Sequence, residues 1–74
     1  MSPEEAQRLL NLFDPDGTIT THQMAERMFD HPKEWEKEHN RKAAWNKLNK
    51  MASDGLVSRK RVLGKSNKWV RMDV

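Results

Sequence analysis

Between Arg41 and Ser53 the chain carries Arg41, Lys42, Ala43, Asn46, Asn49 and Lys50 with no Asp or Glu among them. At 100° per residue, Ala44, Trp45, Leu48, Met51 and Ala52 fall on one face of a helix. Lys42, Ala43, Asn46, Asn49, Lys50 and Ser53 fall on the opposite arc. Side chains of this kind do hydrogen-bonding chemistry on nucleobase edges. An Asn amide pairs bidentately with adenine, Ala meets a thymine methyl, and Lys reaches guanine or phosphate. Asn46 and Asn49 are the expected base readers, Lys42 and Lys50 suit either role, and Arg41 suits phosphate. The plainer alternative is the solvated face of an amphipathic helix, where polar outer residues are the rule. Surface helices usually mix signs, and the missing carboxylates favour the nucleic-acid reading.

The segment that follows repeats the charge. Arg59, Lys60, Arg61, Lys65, Lys68 and Arg71 lie between Gly55 and Met72 with no acidic residue among them. Lysines on an edge strand guard against edge-to-edge pairing, which accounts for some of these cations without any ligand. Six in so short a stretch exceed that need. A two-stranded hairpin over this segment would set Arg59, Arg61, Lys65, Ser66, Asn67 and Lys68 against a minor groove or sugar-phosphate backbone. Such contacts steepen the salt dependence of binding and fix position without choosing sequence. Charge is polarised along the chain. Arg41 to Val74 holds ten Lys or Arg against two Asp, whereas Met1 to Asn40 holds four basic and nine acidic residues. The basic half therefore asks for a polyanionic partner.

The elements that must position these residues are legible in outline. Ser2-Pro3-Glu4-Glu5 has a cap, a first-position proline and the spacing of a capping box. Ala6, Leu9, Leu10 and Phe13 then line one helical face. Asp14-Pro15-Asp16-Gly17 predicts a turn, and Thr18-Ile19-Thr20 a short strand. Thr20-Thr21-His22-Gln23 has the spacing of a second capping box, with Met24, Ala25 and Met28 as the buried side of a second helix. Residues 31–40 fit a loop, a short helix or the start of the third helix. Running the third helix backward puts Trp35 opposite the core and Glu34 toward it, so the phase predicts a break near His39-Asn40 with Asn40 as N-cap. Asp54-Gly55 ends the third helix. Leu56 to Leu63 contains a strand, Gly64 to Asn67 turns, and Lys68 to Met72 returns. Trp45 and Trp69 are expected in the core, although strand phase leaves Trp69/Arg71 and Val70/Met72 both open.

The resulting order, α-β-α-α-β-β, resembles the winged helix-turn-helix, an α+β fold of three helices, a short strand and a C-terminal hairpin wing. Leu48, Gly55, Leu56, Val57 and Arg59, with Trp69-Val70 on the returning strand, are similar to the helix end and wing of small penicillinase-repressor and multiple-antibiotic-resistance-repressor regulators. The resemblance covers nearly the whole chain as element order and about half of it as residue pattern. It departs where the tight turn between helices two and three is replaced by Asp30 to His39. It implies a duplex-DNA-binding regulator of a prokaryote or phage, with the third helix in the major groove and the wing on the backbone.

Composition limits the other classes. Seventy-four residues allow one domain over 1–74 with one small core. The absence of cysteine excludes a disulfide scaffold or thiolate metal site and fits a reducing, cytoplasmic setting. The start, MSPEEAQRLL, is not a signal peptide, and no apolar run approaches a bilayer span, so no membrane role is expected. His31, Glu34 and Glu38 match no zinc spacing. No nucleophile has a neighbouring base and no phosphate loop is present, so neither enzyme activity nor a cofactor or metal is expected. The rival reading is a protein-interaction module that uses acidic residues 30–38 and Trp35, or self-association through the acidic N-terminal half. A third is single-stranded nucleic-acid binding through Trp69 and the wing.

Overall fold

The first helix, α1 (Pro3–Leu10), begins where its signals place it: Ser2 Oγ accepts the Glu5 N–H at 3.2 Å, and proline occupies the first turn. The Glu5 carboxylate completes no capping box and is held instead by Lys47 Nζ. Leu12 and Phe13 continue in tightened turns, their N–H groups donating to Leu9 and Leu10, so Phe13 still reaches the core. The computed structural model of the chain describes residues 2–29, 33–60 and 67–72.

Gly17 carries φ +82°, a conformation that suits a residue without Cβ, and its N–H closes the turn on Asp14 O at 2.8 Å. Asp16 Oδ1 accepts both the Thr18 N–H and the Thr18 hydroxyl, which launches strand β1 (Thr18–Thr20). Helix α2 (Thr21–Met28) has a full capping box: Thr20 Oγ1 accepts from Gln23 N–H and Gln23 Oε1 accepts from Thr20 N–H, each at 3.0 Å. Arg27 fastens α2 to the end of α1, reaching Asp14 and the Leu12 carbonyl at 2.8 Å each.

The break expected at His39-Asn40 does not occur. A single 3₁₀ turn (Glu34–Glu36) leads directly into α3 (Lys37–Ser53), and Asn40 is buried within that helix rather than capping it. Continuous α-helical winding places Glu34 toward the core and Trp35 opposite it. The buried face of α3 begins only at Asn40: Lys37, Glu38 and His39 are all exposed, so the helix runs out beyond its core and the residues before Asn40 need no core-facing phase. Trp35 stays in solvent, 76% exposed, and Glu34 pairs with Lys37 at 2.9 Å.

At the other end α3 closes with a six-to-one, five-to-two pair of hydrogen bonds. Leu56 N–H donates to Met51 O at 2.9 Å and Gly55 N–H to Ala52 O at 3.1 Å, with Gly55 at φ +79°. Two strands follow, β2 (Val57–Lys60) and β3 (Lys68–Arg71), antiparallel to each other. Strand β1 pairs with β3 on its other edge, so the sheet order is β1-β3-β2.

Register settles the strand phase. Ile19, Trp69 and Arg59 stand in one cross-strand row, on the same face as Val57. That face meets the helices: Ile19 and Trp69 are fully buried beside Leu9, Met24, Leu48 and Met51. Thr20, Lys68 and Lys60 form a row on the opposite face. The described residues thus form a small α+β unit of three helices packed on one side of a three-stranded antiparallel sheet.

Candidate functional site

Capping places the start of α2 beside the first strand, and the pairing of β1 with β3 brings Asn67 alongside it. The Thr21 N–H donates to Asn67 O at 3.4 Å. Thr21 Oγ1 also accepts the indole N–H of Trp69 at 2.9 Å, satisfying the one polar group of a fully buried ring. Trp69 in turn meets Trp45 of α3 edge-on, with centroids 5.5 Å apart and planes at 70°. This chain of contacts holds the first half of α3 across the start of α2. Between them lies an open groove of about 430 Å³ lined by Thr21, His22, Glu38, Arg41, Lys42, Trp45 and Asn67.

The basic residues divide into engaged and available ones. Lys47 is tied to Glu5, which joins α3 to α1 and lowers the Glu5 carboxyl below its ordinary range, chiefly through their hydrogen bond. Lys37 is paired with Glu34, whose hydrogen bond raises its pKa. Lys50 lies 3.9 Å from Asp54, and Arg71 donates to the Leu10 carbonyl at 3.3 Å. The Arg59 guanidinium sits 5.4 Å from the centre of the Trp45 ring. Among the described residues Arg41 and Lys42 have no carboxylate within ion-pair distance, and both are exposed on the groove.

The expected site residues are therefore not equivalent. Arg41, Lys42 and Asn67 converge on the groove. Asn46 and Lys50 are exposed on α3, whereas Ala43 is half-buried. Asn49 is half-buried, and its amide donates to the Trp45 carbonyl at 2.9 Å. Arg59 lies on the helix side of the sheet and Lys68 on the other. Arg61, Lys65 and Ser66 fall outside the described residues, as does most of the expected hairpin turn.

Thr21 and His22 were not anticipated as site residues. Their signal was present, since the capping box at Thr20 marks a helix N-terminus and hence a partial positive charge. What the sequence lacked was the packing that turns this end toward α3. His22 Nε2 meets Glu26 Oε1 at 2.6 Å on the same helix.

Among the described residues no three His, Cys, Asp or Glu side chains are grouped to hold a metal; His31 of the sequence cluster lies outside them. Among the same residues no helix is long and apolar enough to cross a membrane. Compared with protein-family models, curated proteins and solved structures, the chain matches none.

Proposed function

We propose that this chain is a duplex-DNA-binding protein of winged-helix type, acting as a transcriptional regulator in the cytoplasm of a prokaryotic or phage-infected cell. The observation that carries the reading is the pair Arg41 and Lys42, exposed on the groove with no carboxylate partner among the described residues while their helix neighbours Lys47 and Lys50 have one. In this reading α3 enters the major groove by its second and third turns. Lys42 and Asn46 meet base edges, Arg41 takes a phosphate, and the β2–β3 hairpin lies on the adjacent backbone. The Asn49 amide gives one N–H to the Trp45 carbonyl, which leaves its second N–H and Oδ1 for base reading. The protein acts by binding, without a chemical step.

A single module of this size covers limited DNA surface, so site selection calls for a second copy or a second module. The acidic N-terminal half offers the surface for it. Fluorescence anisotropy on a random-sequence duplex over a salt series tests the reading. Binding in the micromolar range that weakens steeply with salt is expected, and no binding at low salt overturns it.

One observation favours the protein-docking alternative. Trp35 stands 76% exposed on its 3₁₀ turn between Glu34 and Glu36, and exposed tryptophans often anchor interfaces. The single-stranded reading is weakened, because Trp69, its stacking platform, is fully buried.

A further inference from the structure

Of the four cations on the described strands of the hairpin, two are used within the chain: Arg59 lies over Trp45 and Arg71 binds the Leu10 carbonyl. The other two, Lys60 and Lys68, face each other directly across β2 and β3. Side chains in such a pair start about 4.5–5.5 Å apart at Cβ, and like charges there oppose folding. No carboxylate among the described residues lies within ion-pair distance of either lysine. Asp16 acts on Lys68 only from farther away. Strand alternation starts both side chains on the sheet face opposite Trp69.

We propose that Lys60 and Lys68 form a two-ammonium clamp for one backbone phosphate of duplex DNA, separate from the α3 groove. The inference rests on the DNA-binding reading and adds where the hairpin grips. One phosphate between the two lysines removes their mutual repulsion. The unliganded protein carries that repulsion as lost stability. The hairpin would then straddle a strand, with Arg59 on one side and the clamp on the other.

The test compares the full chain with Lys60→Gln, Lys68→Gln and the double variant in duplex binding over a salt series, and melts Lys60→Glu. Each single variant should bind about 3–10-fold more weakly at low salt, uniformly across sequences. The double variant should be little weaker than either single one, because both lysines hold the same phosphate. Its plot of log K against log salt should lose about 0.9 of its slope. Lys60→Glu should melt about 2–5 °C higher, since an opposed pair replaces a repelling one.

If the double variant binds as wild type while Arg41→Glu with Lys42→Glu abolishes binding, the clamp is wrong and the α3 reading stands. Additive losses in the double variant would overturn the shared phosphate. A lower melting point for Lys60→Glu would overturn the cross-strand repulsion. If the wild-type chain binds no duplex at low salt, the DNA-binding reading itself falls and the clamp falls with it.

Discussion

The guanidinium of Arg59 lies 5.4 Å from the centre of the Trp45 ring, closing the edge of the core where α3 crosses the sheet. Arg59 reaches it because the register places it in the same cross-strand row as Trp69, whose ring meets Trp45 edge-on. A residue that sequence alone assigns to phosphate thus has a packing role. Arg59→Ala should destabilise the fold by about 0.5–1 kcal/mol, the worth of an exposed cation–π contact. Urea denaturation of Arg59→Ala, Trp45→Leu and the double variant would measure the coupling, and a coupling of zero would remove the contact from the account.

Trp69 is fully buried and its indole N–H has Thr21 Oγ1 as acceptor. Thr21→Val keeps the volume and removes the acceptor, leaving a buried donor unpaired at a cost of about 1–3 kcal/mol. Equilibrium unfolding gives the value directly. Thr21→Ser should retain most of the stability, because the hydroxyl remains.

Gly55 sits at φ +79° with nothing within 4 Å of a Cβ built there. Space is therefore not the obstacle to substitution; backbone conformation is. Gly55→Ala should cost about 1–2 kcal/mol from the left-handed conformation alone. Gly55→Asn should cost less, since Asn tolerates that region. Thermal melts that rank Ala below Asn below Gly would support this, and an equal pair would point to a cause other than φ.

Lys47 and Lys42 lie on the same helix but should fail differently. Lys47→Ala breaks the link to Glu5 and should lower stability while leaving duplex affinity within about twofold, the scatter of independent sites. Arg41→Glu with Lys42→Glu should abolish binding and leave the melting curve nearly unchanged, surface substitutions costing about 0.5 kcal/mol or less. Circular dichroism melts and anisotropy titrations on the same samples separate the two effects.

Two carboxylates should shape the acid limb of stability. Lys47 lowers the Glu5 pKa, chiefly by its hydrogen bond, and Thr18 lowers that of Asp16 in the same way. A group whose pKa is lower folded than unfolded adds stability that is fully present above the unfolded value. That contribution is lost as pH falls through the folded value. Stability should therefore drop as pH falls below the ordinary carboxylate range. Lys47→Met should flatten the part of that drop due to Glu5, as read from denaturation midpoints at a series of acidic pH values. An unchanged slope would mean that Glu5 titrates alike in both states.

Much of this molecule is written locally. Ser2, the Thr20–Gln23 box and Gly55 mark helix ends within four residues of sequence, because caps satisfy backbone groups that lie that close. Helical spacing likewise placed Leu9, Leu10, Phe13, Ala44, Leu48 and Met51 in the core, where all six are buried. Carried backward, that spacing puts Asn40 on the core side, where it is buried, and Trp35 opposite it, in solvent; what it did not show is that α3 extends beyond its core, with Lys37, Glu38 and His39 exposed.

Sequence by itself determined the element order and the polarity of charge along the chain. The tertiary structure alone decided which cations are available. Lys47 and Lys42 are both lysines of one helix, yet one meets Glu5 forty-two residues away and the other opens on a groove. Arg59 and Lys60 are neighbours in sequence, and the pairing of β2 with β3 sends one to Trp45 and the other against Lys68. Ion pairs and cross-strand partners form through space between residues distant in the chain, and no periodicity along the sequence records those distances.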